Sequence, residues 1–125
     1  MQAKKKILVV DDDTNSIAIA EEILGDDYNL KTAATGEEAL EIALDFIPDL
    51  ILLDIMMPGM DGYEVCRRLR EHSILSDTQI IIVSAKGELY DQIKGHEMGA
   101  DDYISKPFKE ENFLESVNFF LKIPT

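Results

Sequence analysis

Asp49-Leu50-Ile51-Leu52-Leu53-Asp54-Ile55-Met56-Met57-Pro58-Gly59-Met60-Asp61-Gly62 is the stretch that decides the fold. Four apolar residues run straight into Asp54, and Pro58, Gly59, Asp61 and Gly62 supply a turn behind it. A short unbroken apolar run bounded by turn residues suits a strand covered on both faces, as in a parallel sheet. Such a strand delivers Asp54 to the carboxyl edge of the sheet, where α/β proteins keep their ligands and chemistry. The remaining sequence has to show what meets Asp54 there.

Toward the N-terminus, Thr35-Gly36-Glu37-Glu38 has the spacing of a capping box and opens a helix whose face is Ala39, Leu40, Ala43 and Leu44, with Pro48 as its break. Leu30-Lys31-Thr32-Ala33-Ala34 alternates weakly, as an edge strand does. Ile7-Leu8-Val9-Val10 is a second apolar run and ends in Asp11-Asp12-Asp13. Behind it Ile17, Ala20, Ile23 and Leu24 recur at helical spacing as far as Gly25, a C-terminal cap.

Toward the C-terminus, Asp61 is placed to cap a helix carrying Val65, Cys66 and Leu69, with Arg67, Arg68 and Arg70 on its wetter sides. Ile80-Ile81-Ile82-Val83 is the third apolar run and ends at Ser84-Ala85-Lys86-Gly87. Glu88 to Met98 shows a poor apolar stripe, a helix held loosely enough to move or to be covered by a partner. Asp102-Tyr103-Ile104-Ser105 reads as a short strand before Lys106-Pro107-Phe108, and Phe113, Leu114, Val117, Phe120 and Leu121 mark a final helix. The organisation expected is one domain over residues 1–125, with no linker and no second domain.

Alternating strands and helices call for a parallel sheet with helices on both faces and right-handed crossovers. The three wholly apolar strands belong at the centre and the two weaker ones at the edges, which selects the flavodoxin-like, doubly wound, five-stranded order 2-1-3-4-5 in three layers. Composition agrees with a globular α/β domain, at 46% apolar and 30% charged residues. The apolar runs are too short to span a bilayer, and the basic start lacks the apolar core of a signal peptide, so a cytoplasmic protein with no membrane partner is expected. Cys66 stands alone and forms no internal disulfide. A net charge of −13 opposes direct binding to nucleic acid or anionic lipid and favours cations and basic protein surfaces.

In the expected topology Asp11, Asp12 and Asp54 face one another across the switch point between strands 1 and 3, while Ser84 and Lys106 end the neighbouring strands. Two carboxylates about 4 Å apart repel by roughly 4 kcal/mol at an effective dielectric of about 20, so a cation is implied. Oxygen-only ligands suit Mg²⁺, with Mn²⁺ as an alternative, better than zinc or copper. A carboxylate nucleophile, a divalent ion, an ammonium and a hydroxyl donor are together the parts needed to accept a phosphoryl group.

Asp11-Asp12, the Leu53 to Gly62 segment around Asp54, Ser84-Ala85 and Lys106-Pro107-Phe108, in this order and over essentially the whole chain, resemble the receiver domain of two-component response regulators. The resemblance implies that Asp54 is the phosphoacceptor, that Asp12 binds Mg²⁺ directly and Asp11 through water, and that the backbone carbonyl of Met56 completes the metal site. It implies that Ser84 and Lys106 contact the phosphoryl oxygens, that Ser84 and Tyr103 form the switch, and that the Lys106-Pro107 bond is cis. The donor would be a sensor histidine kinase or a histidine phosphotransfer protein. The response would pass to a downstream target or output domain, with a phosphorylation-dependent homodimer as a further expectation. Met56 and Lys86 are expected to border the path of attacking water and so to tune phosphoryl lifetime.

Plainer readings stand beside these. An isolated Asp at a strand end is most often a cap or turn residue, and it is the company of Asp54 that singles it out. Asp13 fits a loop or cap better than a metal ligand, Cys66 fits a core, His72 and His96 fit solvent, and Tyr103 fits edge-strand packing as well as a switch. Gly59 and Gly62 fit turn geometry. Three other functions remain open: a constitutive receiver-like adaptor, a small Mg²⁺-dependent phosphohydrolase, and a flavodoxin-like nucleotide binder. Asp11-Asp12-Asp13-Thr14 lacks the Asp-x-Asp-x-Thr spacing of haloacid-dehalogenase phosphatases, and three aspartates repel the phosphate that a nucleotide binder must hold.

Overall fold

The computed structural model describes residues 4–85 and 89–123. Lys86, Gly87 and Glu88, which the sequence reading used for a loop and a helix start, lie outside the described residues, as do Pro124 and Thr125. In chain order the elements are β1 (Lys6–Val10), α1 (Thr14–Leu24), β2 (Asn29–Ala33), α2 (Gly36–Phe46), β3 (Leu50–Leu53), α3 (Gly62–Arg70), β4 (Gln79–Ser84), α4 (Leu89–Glu97), β5 (Asp102–Ser105) and α5 (Glu110–Leu121). All strand pairs are parallel, in the order β2-β1-β3-β4-β5, as expected from the apolar runs.

The unbroken apolar runs are explained by two cores, one on each face of the sheet. Leu8, Val10, Ile51, Leu53, Ile80 and Ile82 point to one face and pack with Ala39, Val65, Cys66 and Leu69 of α2 and α3. Their neighbours Ile7, Val9, Leu50, Leu52, Ile81 and Val83 point to the other and pack with Leu24, Phe113, Val117 and Leu121 of α1 and α5. Because side chains alternate along a strand, both halves of each run are buried and neither can be polar. Each fully buried side chain of this kind contributes about 1.5–3 kcal/mol.

Helix ends follow the local chemistry. Asp13 caps α1, Thr35 caps α2 and Asp61 caps α3, each accepting a backbone N–H with its side chain. Glu38 closes the α2 box on the N–H of Ala34, one residue before the cap that the motif predicts. Gly25 ends α1 at φ +58°, a conformation open to glycine at little cost. Arg70 departs from the sequence reading. It is half-buried rather than on a wet face, donating to the carbonyls of Gly99, Leu75 and Thr78 and to the Asp101 carboxylate.

Candidate functional site

Three strand ends place the functional side chains. The Asp11 N–H donates to the Ala33 carbonyl at 3.0 Å, the Asp54 N–H to the Val10 carbonyl at 2.9 Å, and the Lys106 N–H to the Ser84 carbonyl at 2.8 Å. Each ladder thus runs one residue past its strand and fixes the backbone from which the charged group projects. Ser84, the last residue of β4, is fully buried.

Asp11 and Asp54 are held in the same way. One oxygen of each accepts a backbone N–H two residues on, Asp11 Oδ1 from Asp13 at 2.9 Å and Asp54 Oδ1 from Met56 at 2.8 Å. The other oxygen of each faces Lys106, whose Nζ donates to Asp11 Oδ2 at 2.8 Å and to Asp54 Oδ2 at 3.3 Å. Both carboxylates are buried, at 5% and 7% exposure, while Asp12 is exposed. Burial works to lower the Lys106 pKa, but the hydrogen bond to Asp11 and the charges of Asp54 and Asp11 outweigh it and hold the ammonium above the ordinary lysine value.

Three carboxylates against one ammonium leave an excess of two negative charges. One oxygen from each of Asp11, Asp12 and Asp54 lies within 4.8 Å of the others. An oxygen-only donor set of this charge fits a hard divalent cation. Met56, half exposed, stands at the mouth with its N–H already engaged by Asp54. Behind it, Gly62 allows α3 to start against the Asp54 segment: a Cβ there would lie 2.7 Å from the Asp54 carbonyl oxygen. Gly59 has φ +77° and serves turn geometry as expected, whereas Gly62 is required by the close approach of the backbone.

The Tyr103 ring, on the edge strand β5, turns inward under α4 and packs against Gly95 and the core on that face, in line with its plainer reading. Its hydroxyl is buried and makes no hydrogen bond among the described residues. Burial and the Asp91 charge push this phenol up, while the nearby hydroxyls of Ser84 and Tyr63 work the other way as neighbours short of good bonding geometry. Tyr63, in the first turn of α3, donates to the Asp91 carboxylate at 3.1 Å and so ties α3 to α4. The Lys106-Pro107 bond is cis, as expected. Asp13 is a cap, Cys66 is buried, and His72 and His96 are exposed, in line with their plainer readings. Lys86 lies outside the described residues.

Sequence reasoning missed Ser16. Its Oγ accepts from Lys106 Nζ at 3.2 Å and donates to Asp13 Oδ2 at 3.2 Å. Ser16 lies one turn beyond the acidic run and on the same side as its cap, a spacing that by itself gives no sign of the lysine it meets.

A doubly wound sheet that brings three aspartates and a lysine to its switch point defines the class of CheY-like phosphoacceptor folds. The chain belongs to the response regulator receiver domain family, whose model matches residues 7–118. Response regulator ArlR of Staphylococcus aureus is 40% identical over 118 residues, covering 94% of this chain and 52% of ArlR. The chain therefore spans about half the length of the curated relatives it matches. Among solved structures, chemotaxis protein CheY4 of Vibrio cholerae superposes with a TM-score of 0.89 at 31% identity, covering 94% of this chain and 99% of that one. DrrB of Thermotoga maritima, an OmpR/PhoB homologue, gives 0.81 at 36% identity, covering 96% of this chain and 54% of that one. No helix among the described residues is long and apolar enough to cross a membrane.

Proposed function

We propose that this receiver domain takes a phosphoryl group on Asp54 and answers by moving Ser84, Lys106 and Tyr103. The observation that carries the reading is the shared lysine: Asp54 presents one oxygen to a backbone amide and the other to an ammonium that also holds Asp11. A carboxylate so oriented is a positioned nucleophile with its charge only partly neutralised.

Asp54 attacks phosphorus with a carboxylate oxygen. The bond from phosphorus to the donor's imidazole nitrogen breaks, and that nitrogen keeps the electron pair and takes up a proton. The product is an acyl phosphate on Asp54. Asp11, Asp12 and Asp54, with the Met56 carbonyl, would hold Mg²⁺ or Mn²⁺, which when bound supplies the positive charge that lets an anionic phosphoryl group approach a carboxylate crevice. Lys106 and the Ser84 hydroxyl meet the phosphoryl oxygens, and Tyr103 follows Ser84 through the space that the two hydroxyls share. Met56 borders the water path that ends the signal. The phosphodonor is a sensor histidine kinase or a histidine phosphotransfer protein in the cytoplasm. The chain acts as a switch that assists its own phosphorylation and dephosphorylation rather than turning over an external substrate. Its organisation is one receiver domain over residues 1–125, and its response passes to a target protein or output domain, with homodimer formation as one route.

Intact mass after incubation with acetyl phosphate, with and without Mg²⁺, tests this. One phosphoryl group that requires Mg²⁺ and is missing from Asp54→Asn is the expected result. No adduct on the wild type, with lifetime controlled, would leave a constitutive adaptor that keeps the fold without the chemistry.

A further inference from the structure

Resting on the reading that Asp54 takes the phosphoryl group, we propose that Ser16 is a positioning residue that restrains Lys106 on the α1 side of the crevice and so sets how readily the ammonium reaches that group. An ammonium has three protons to donate. Lys106 Nζ has three acceptors, Asp11 Oδ2 at 2.8 Å, Ser16 Oγ at 3.2 Å and Asp54 Oδ2 at 3.3 Å. The Ser16 hydroxyl is oriented to accept, because its own proton goes to Asp13 Oδ2. Asp13 is fixed in turn as the cap of α1, accepting the Asn15 N–H at 3.0 Å. The hydroxyl is therefore placed by the helix end and not by solvent.

Ser16, Asp11, Asp54 and Lys106 contribute to the lining of a cavity of about 370 Å³ whose apolar wall includes Val9, Leu52, Val83 and Phe113. Ser16 carries the one hydroxyl among the described residues lining it, so no second neutral acceptor of that kind is offered to the ammonium there. One of the three contacts ties Lys106 to α1 through Ser16 and another to the end of β1 through Asp11, and the contact to Asp54 is the longest.

With acetyl phosphate as donor, an Asp54 oxygen bonds to phosphorus, the phosphorus–oxygen bond to acetate breaks, and acetate leaves with the electron pair. The phosphoryl oxygens then lie beyond Asp54 and attract the ammonium, which reaches them by giving up a contact. A neutral hydroxyl holds an ammonium less strongly than a carboxylate does, so Ser16 is the contact released. Ser16 thereby weights the crevice toward its unphosphorylated arrangement. Loss of the hydroxyl frees Lys106 earlier and speeds the transfer.

The test is the rate of phosphoryl uptake, by intact mass across a range of acetyl phosphate concentrations at saturating Mg²⁺, for wild type, Ser16→Ala and Ser16→Thr, with Lys106 intact or replaced by Ala. Ser16→Ala is expected to raise the maximal rate about fivefold, the scale of one hydrogen bond's net contribution, with the half-saturating concentration unchanged. Ser16→Thr should restore the wild-type rate, and Ser16→Ala should do nothing in the Lys106→Ala background. Should that background react too slowly to time, Lys106→Met, which keeps the stem and has no donor, serves for the same cycle. An unchanged or lowered rate in Ser16→Ala, or an equal change with and without Lys106, overturns the proposal. Uptake by Asp54→Asn would instead overturn the phosphoacceptor assignment, so the two failures are distinguishable.

Discussion

Lys106 at the carboxyl edge of the sheet and Arg70 at the amino edge are cations of equal exposure, 24% each, the lysine bonded to buried Asp11 and the arginine to exposed Asp101. Their surroundings differ in kind. Arg70 gives its planar donors to the carbonyls of Gly99, Leu75 and Thr78 and to Asp101, which also accepts the Ile80 N–H at 2.8 Å. Charge is balanced one to one there, and the geometry of a guanidinium fork locks the starts of β4 and β5 together. Lys106 is a point charge on a flexible stem, shared between two carboxylates with a third close by. The balanced edge does structural work, and the unbalanced edge keeps the uncompensated negative charge on which the proposed cation and phosphoryl chemistry rests.

Replacing Arg70 with Ala should break the comparison most visibly. It strands Asp101 and several carbonyls, at a cost of about 3 kcal/mol in urea denaturation, while phosphoryl uptake under native conditions stays within about twofold of wild type. Arg70→Lys should recover less than half of that loss, because a single ammonium cannot serve the fork. Next in size, Mg²⁺ should stabilise the protein by about 2.7 kcal/mol at about 100 times its dissociation constant, an effect that a chelator reverses and that Asp54→Asn weakens. Arg70→Ala should leave that increment intact, since the proposed metal site lies at the opposite edge.

Alkali acts on the lysine edge, where raising the pH removes the Lys106 proton. The raised Lys106 pKa means that its contribution is fully present below the ordinary lysine value and is lost as pH rises through the folded one. Cys66 behaves with the same sign: burial pushes its thiol from 9.0 up to about 11, so stability should hold to about pH 9 and fall between there and about pH 11. The Cys66 share is roughly 3 kcal/mol, readable as the part of the decline that Cys66→Ala removes. The smallest effect has opposite signs at the two edges. Without divalent ions, Asp54→Asn should stabilise by about 1 kcal/mol by relieving like-charge repulsion, whereas Asp101→Asn should destabilise by about the same amount. Thermal melts of the two variants in chelator read this directly.

Much of this was legible because burial on both faces forces a strand to be apolar throughout, and Asp54, Asp11 and Lys106 each follow such a strand or end a weaker one. The sequence therefore places the acid crevice before any contact is known. Ser16 escaped because periodicity tracks apolar residues, and a polar side chain at helical spacing carries no sign of which neighbour it meets. Arg70 escaped because three arginines follow one helix closely, and only the packing of Gly99, whose added Cβ would lie 2.6 Å from Arg70 Cγ, shows which of them turns inward. Tyr103 sits on a strand whose alternation permits either face, and only its packing under α4 beside Gly95 shows which face it takes.

The ladder bonds that run past β1, β3 and β5 have a consequence for motion. The amides of Asp11, Asp54 and Lys106 belong to the sheet's own hydrogen-bond network, so solvent can wash over the carboxylates without those amides opening. Slow hydrogen exchange at these three positions would accompany rapid ion exchange at their side chains. If the proposed switch operates, its anchor points stay still through a signalling cycle, and what travels is the reach of one lysine and the packing of one helix.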